Sequence, residues 1–154
     1  MPDKSFSVSL VTPDGAAYEG EAVMLIVPGA DGEIGVLARH APLIATLKAG
    51  STRVHLGEGE DRVREFATGP GFFKVEQDRA IALVDDAVLA NEIDVERARA
   101  QLEDAQAELE RIDHGDSDAD RWQVEQRIRH AENQLAVATG GPGTERRVAA
   151  PPNA

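Results

Sequence analysis

The apolar residues of this chain change their spacing near Asp86, and that change restricts the fold more than any other feature. Before it, they fall in short runs cut by turn residues. Phe6, Val8 and Leu10 alternate with serines, the period of a strand with one buried face. The run ends at Thr12-Pro13-Asp14-Gly15, where proline presets one turn angle and glycine accepts positive φ, so a turn is expected. Ala22 to Val27, Leu43 to Leu47, Thr52 to Leu56, Arg62 to Ala67, Phe72 to Glu76 and Ala80 to Val84 are further short runs, each bounded by Gly, Pro or charge. Strands this short and this frequent predict an all-β sandwich, or a barrel, over residues 1–87. Gly57-Glu58-Gly59-Glu60-Asp61 is too polar to bury and predicts a hairpin tip.

After Asp86 the period is helical. Val95, Ala98, Leu102, Ala105, Leu109 and Ile112 are spaced 3, 4, 3, 4, 3 and fall on one helix stripe. Val124, Ile128, Ala131, Leu135 and Ala138 form a second. His114-Gly115-Asp116-Ser117-Asp118 interrupts them, with Gly115 placed to cap one helix and Ser117 or an aspartate to open the next. The prediction for residues 88–138 is an α-helical antiparallel hairpin following the N-terminal all-β sandwich. Its seam alternates alanine with larger residues. At about 0.8 kcal/mol per buried methylene, alanine contributes much less than leucine. The hairpin is therefore expected to pack closely but weakly, and to leave the sandwich, or open, at low cost. Residues 139–154, TGGPGTERRVAAPPNA, are rich in Gly and Pro without apolar period, which predicts a disordered tail.

Composition excludes several function classes. The 28 Asp and Glu against 16 Lys and Arg give a net charge of -12, which repels a phosphate backbone, so no nucleic-acid partner is expected. Without cysteine there is no thiol catalysis or thiolate metal site. The longest apolar run, Ala22 to Val27, stops at Pro28, far short of the roughly 20 residues that cross a bilayer. MPDKSFSVSL lacks the apolar core and cleavage site of a secretory signal. Membrane association is expected only through a partner.

Residues 27–43, VPGADGEIGVLARHAPL, place three glycines between apolar runs. A phosphate-binding reading fails: there is no Gly-Lys-Ser/Thr and no G-x-G-x-x-G, and Asp31 and Glu33 would repel the anion. The better reading is a reversal after a buried strand, a short strand Ile34 to Leu37, and a second reversal at His40-Ala41-Pro42. His40, His55, His114 and His130 lack metal-ligand spacing, no G-x-S-x-G elbow occurs, and no catalytic residue is assigned.

VPGADGEIGVLARHAPLIATLKAG resembles the signature of the epsilon subunit of F-type ATP synthases: Pro/Thr-Gly, then Gly-Glu-hydrophobic-Gly, then His-Ala-Pro-Leu. GPGFFKVEQDRAIALVDDA is similar to the family's Gly-Phe strand pair and IDVERA, residues 93–98, to its Ile/Leu-Asp-x-x-Arg-Ala segment. His114-Gly115-Asp116 falls where some members turn their hairpin, so the resemblance runs in order from residue 5 to about 138.

The resemblance implies a noncatalytic subunit of the rotating central stalk. In that family the sandwich binds the gamma subunit and rests on the membrane-embedded c-ring, coupling proton flow to ATP synthesis. The hairpin reaches toward the alpha/beta catalytic head and inhibits ATP hydrolysis. The implied location is the cytoplasmic side of the cell membrane, peripheral and through the complex. For the c-ring contact it implies Asp31 and Glu33, Glu33 foremost as an exposed carboxylate for a basic loop, with His40 near the same end or else a satisfied structural histidine.

Ile93, Asp94, Arg97 and Ala98 match a segment that binds ATP in some bacterial members, guanidinium to phosphate and carboxylate to the adenine amino group. An ordinary helix start accounts for the same residues, and Asp104 stands where strong binders carry a basic group. No cofactor is required; ATP enters only as a regulatory ligand. Arg121, Arg127 and Arg129 are implied contacts to an acidic surface of the catalytic head, or else a solvated face with pairs such as Glu125 to Arg129. An ATP-sensing binding module and an unrelated β-sandwich adaptor are the alternatives.

Overall fold

The computed structural model describes residues 4–139. Ten strands precede two helices. They are β1 (Phe6–Thr12), β2 (Gly15–Ala22), β3 (Met24–Gly29), β4 (Gly32–Val36), β5 (Leu43–Leu47), β6 (Gly50–His55), β7 (Val63–Thr68), β8 (Gly71–Glu76), β9 (Arg79–Val84) and β10 (Ala87–Leu89). A 3-10 turn at Glu60–Arg62 precedes β7, and another at Ala90–Glu92 leads to α1 (Val95–Asp113) and α2 (Arg121–Ala138). The predicted sandwich followed by a helical hairpin is what forms. Of the predicted tail only Thr139 is described, closing α2; residues 140–154 lie outside the described residues.

The strands follow one hydrogen-bonded path, β10-β7-β6-β3-β5-β8-β9-β1-β2, with β4 added to β3. β3 pairs with β6 through Met24, Leu25 and Ile26 but reaches β5 only at Gly29, so the sheet folds over there into two layers. Alternate residues point between the layers. Phe6, Val8 and Leu10 of β1 meet Leu25 and Val27 of β3, Val54 of β6, Phe66 of β7, Phe73 and Val75 of β8, and Ala80, Ala82 and Val84 of β9 in one buried cluster. Removing such side chains from water is the dominant favourable term.

Two strands were not expected. GAAYEGEA forms β2, an edge strand that is exposed at nearly every residue and held by its ladder to β1. β10 closes the opposite edge against β7. The predicted run Ala22 to Val27 is broken at Val23, between β2 and β3, and β3 continues through Pro28 to Gly29. The polar segment around Gly57 does join antiparallel β6 and β7, as its composition requires.

The helices pair along the alanine seam, burying Ala98 and Ala105 of α1 against Val124 and Ala131 of α2. Gly115 follows α1 with φ 76, Gly115 N–H donating to Ile112 O and Asp116 N–H to Arg111 O. That double bond pattern satisfies the last carbonyls. The cap of α2 is Asp120, whose carboxylate accepts from Trp122 N–H at 2.9 Å. Ser117 stands aside from that role, accepting from Ala119 N–H and donating to Glu108.

Candidate functional site

On the outward face of the β5-β8-β9-β1 layer, register brings Thr46, Phe72, Leu83 and Val11 into one row and Ile44, Lys74, Ile81 and Ser9 into the next. Ile44 is 76% exposed, Phe72 64% and Leu83 52%, on adjacent strands. Lys74 stands within the second row between Ile44 and Ile81, Glu76 and Arg79 border it, and the Lys74–Glu76 ion pair spans 3.4 Å. An apolar strip with a charged rim is the pattern of a docking face. The strand runs predicted these elements, yet no residue here was singled out from the sequence.

The glycine segment is a β3–β4 hairpin with Ala30 and Asp31 at its tip and Gly29 opposite Gly32. Gly32 has φ 140, and a Cβ on Gly29 would stand 2.6 Å from Gly32 O, so both glycines serve the turn. Gly35 has open space around it and ordinary φ. Asp31 is exposed at the tip. Glu33, expected as an exposed carboxylate, is exposed and also pairs with Arg53 Nη2 of β6 at 3.1 Å, and the arginine side chain is 5% exposed. A buried guanidinium requires such a counter-charge.

His40 does not share that end. β4 carries the chain away from the tip before residue 40, and the neighbouring Arg39 N–H donates to the Asp78 carboxylate in the β8–β9 turn. The tip itself is tied to the far end of β5, Ala30 N–H donating to Thr46 O and Lys48 N–H to Pro28 O. At about 3.3 Å per strand residue, the length of β4 separates His40 from Asp31. The His40 Nδ1 lies 2.7 Å from Ala41 O.

α2 is the helix that meets the sandwich, contacting β6, β7 and the 90–92 turn. Asn133 Nδ2 donates to Gly50 O and Thr68 O, both at 3.2 Å, and these residues are the terminal pair of the β6–β7 ladder. One turn earlier, His130 Nδ1 faces Asp86 Oδ2 at 3.4 Å across the link between β9 and β10. Val137 is buried on the same side of the helix.

The hydrogen bond to Asp86, reinforced by the charges of Asp86 and Asp85, raises the His130 pKa above its ordinary value despite burial. Burial pushes Asp86 upward, but hydrogen bonds from His130 and Asp85 outweigh it and hold its carboxyl low. Asp85 is raised, by burial and then by its bond to, and repulsion from, Asp86. His130, Asn133 and Val137 are spaced 3 and 4, a second helix face hidden in the sequence because its residues differ in chemistry.

Between α1, α2 and the sandwich lies a cleft of about 650 Å³, whose walls include Lys48, Arg127 and Arg129 but also Asp86 and Asp104. Asp94 caps α1, its carboxylate accepting from Arg97 N–H at 3.0 Å, while the Arg97 side chain is exposed. Ala98 is buried in the helix seam and Ile93 half-buried before it. Arg121 pairs with Asp113 and, at 3.8 Å, with Glu125. Glu125 therefore bonds back to Arg121, and Arg129 is an exposed residue at the wall of the cleft.

Residues 5–90 match the family described as the ATP synthase, Delta/Epsilon chain, beta-sandwich domain. The ATP synthase epsilon chain of Rubrobacter xylanophilus is 41% identical over 132 residues, covering 84% of this chain and 88% of that one. The chain belongs to the ATP synthase epsilon family. The epsilon chain of Halalkalibacterium halodurans is 40% identical over 131 residues, 85% of this chain and 95% of its own.

Solved structures repeat the fold. A chain of the Euglena gracilis mitochondrial ATP synthase OSCP/F1/c-ring assembly gives a TM-score of 0.68 at 24% identity, covering 88% of this chain and 82% of its own. One from the Tetrahymena thermophila mitochondrial ATP synthase central stalk/c-ring gives 0.54 at 16%, covering 90% of this chain and 95% of its own. This epsilon-family chain is thus a noncatalytic subunit of a membrane-bound complex, which overturns the reading as an unrelated adaptor. Among the described residues no helix is long and apolar enough to cross a membrane.

Proposed function

We propose that this chain works as a rotor subunit of the central stalk, coupling proton flow through the c-ring to ATP synthesis while its helical hairpin inhibits ATP hydrolysis. The observation that carries this reading is the exposed strip of Ile44, Phe72 and Leu83, which a partner must cover to remove it from water. The gamma subunit is the partner proposed for it. The β3–β4 tip faces the polar loops of the c-ring. There Asp31 is the open acid, because Glu33 is already compensated by Arg53. The side of the membrane proposed for the chain is the cytoplasmic one.

The arginines of α2 fit a restraint that operates only after release. In the docked arrangement Arg121 is paired with acids of its own hairpin, and Arg127 and Arg129 line the cleft. Lifting α2 from the sandwich frees the latter two for an acidic surface on the catalytic head. Phe72→Glu combined with Leu83→Glu is expected to abolish co-purification with gamma while the circular dichroism spectrum stays that of the parent. Undiminished assembly by that double variant overturns the strip as the gamma face.

A second reading adds ATP as a regulatory ligand. Arg97 lies one turn before Gln101 on α1, and Gln101 opens onto the cleft with its three basic residues, which favours a phosphate there. Binding is expected to be weak, since Asp94 is committed to the helix cap and Asp104 adds negative charge. Titration with MgATP should shift the amide signals of Arg97, Gln101 and Arg127 saturably in the millimolar range. Unchanged spectra there would remove ATP from the account and leave protein contacts to govern the hairpin.

A further inference from the structure

We propose that His130 and Asp86 form a proton-sensitive clasp that holds the helical hairpin against the sandwich and loosens as pH rises. The clasp sits where movement would break it. Asp86 belongs to the link between β9 and β10, fixed to the sandwich by Gly69 N–H donating to Asp86 O at 3.0 Å and Asp85 N–H to Pro70 O at 3.1 Å. His130 belongs to α2, and their 3.4 Å contact spans the boundary between the two parts. Lifting the hairpin separates the pair while leaving the secondary structure of each side unchanged.

Among the described residues a second tie across this boundary is Asn133, whose amide donates to two carbonyls. That tie does not titrate. Proton dependence of docking therefore concentrates on His130. The charged groups around it are Asp85 and Asp86 from the β9–β10 link, Lys48 from the β5–β6 turn, Asp104 from α1, and Arg127 and Arg129 on its own helix. Burial opposes the positive charge, but Asp86 and Asp85 dominate and favour the imidazolium.

The ring's second nitrogen, Nε2, stands 3.0 Å from the side-chain amide of Gln134. The neutral ring can donate from Nδ1 to Asp86 and accept from that amide; the protonated ring donates from both, and the amide turns to offer its oxygen. Deprotonation thus weakens the clasp without abolishing it.

The direction of the pH effect follows from linkage. His130 binds its proton more tightly when docked than when released, where it returns to about its ordinary 6.5. Its contribution to docking is complete below 6.5 and is lost as pH climbs through the raised docked value. Because the pair is partly exposed, solvent screens it, and the docked-to-released ratio is expected to fall about two- to fivefold between pH 6 and 8.5.

The inference concerns the isolated full chain and stands whether or not the hairpin restrains hydrolysis. The test follows two signals by NMR across pH 6 to 8.5: the His130 ring, and the Asn133 side-chain amide as reporter of docking. The ring is expected to titrate above 6.5 in the wild type, and closer to it in Asp86→Asn. The Asn133 signals should move toward the released state with rising pH in the wild type, and lose that response in His130→Gln and in Asp86→Asn. A wild-type ring titrating at or below 6.5, or an equal pH response in either variant, overturns the clasp.

Discussion

Gly29 and Gly35 sit in the same motif but answer to different constraints. At Gly29 an added methyl meets a backbone oxygen at 2.6 Å and the Ile34 side chain at 2.8 Å, and backbone cannot swing aside. Gly29→Ala is therefore expected to cost about 1–3 kcal/mol, the usual result of forcing atoms into filled space. Gly35→Ala meets nothing within 4 Å and should stay within about 0.5 kcal/mol of the parent. Urea midpoints of the two variants decide it: equal losses would mean that Gly35 is constrained by something other than space. Residue-scale roles were only half legible. That the glycines turn the chain could be read from their neighbours, but the Glu33 partner comes from Arg53 on another strand, and no local pattern announces it. His40 was misplaced because proximity in sequence stood in for geometry, while β4 runs straight away from the tip.

Elements were legible wherever burial forces a pattern. β5 occupies the predicted Leu43 to Leu47, because its residues alternate between core and surface. β2 escaped notice for the opposite reason: an edge strand draws its stability from its ladder to β1, so it needs no apolar alternation, and exposed Glu19 and Glu21 suit an edge that must not pair further. α2 shows how two faces overlay one helix. The expected stripe meets α1, whereas Asn133 and His130 meet the sandwich through hydrogen-bonding groups that a hydrophobic period cannot detect. Of the caps the sequence offered, Ser117 or an aspartate, Asp120 takes the role, because Ser117 is already committed to Glu108 and to the bend.

For the molecule as a whole, every side chain of the main core cluster lies between Phe6 and Val84, and the helices supply none. Their own buried residues, mostly alanine and valine, face each other or, like Val137, the edge of the sandwich. A chain ending after Glu92 should therefore keep the fold of the sandwich. What it loses is the pair of Asn133 hydrogen bonds, about 0.5–1.5 kcal/mol each, and a partly exposed ion pair worth up to about 1 kcal/mol. A fall in unfolding free energy of at least the roughly 1–4 kcal/mol these polar ties supply, since the burial of Val137 is lost as well, with a single cooperative transition, is the expected urea result. Because the apolar strip lies on the retained layer, the shortened chain should still assemble with gamma, and the complex should hydrolyse ATP faster for want of the arginine-bearing helix. Loss of the cooperative transition would show that the hairpin is part of the core rather than an arm upon it. Normal assembly with unchanged hydrolysis would separate the two proposed roles, leaving the sandwich as a rotor part and the hairpin without the inhibition assigned to it.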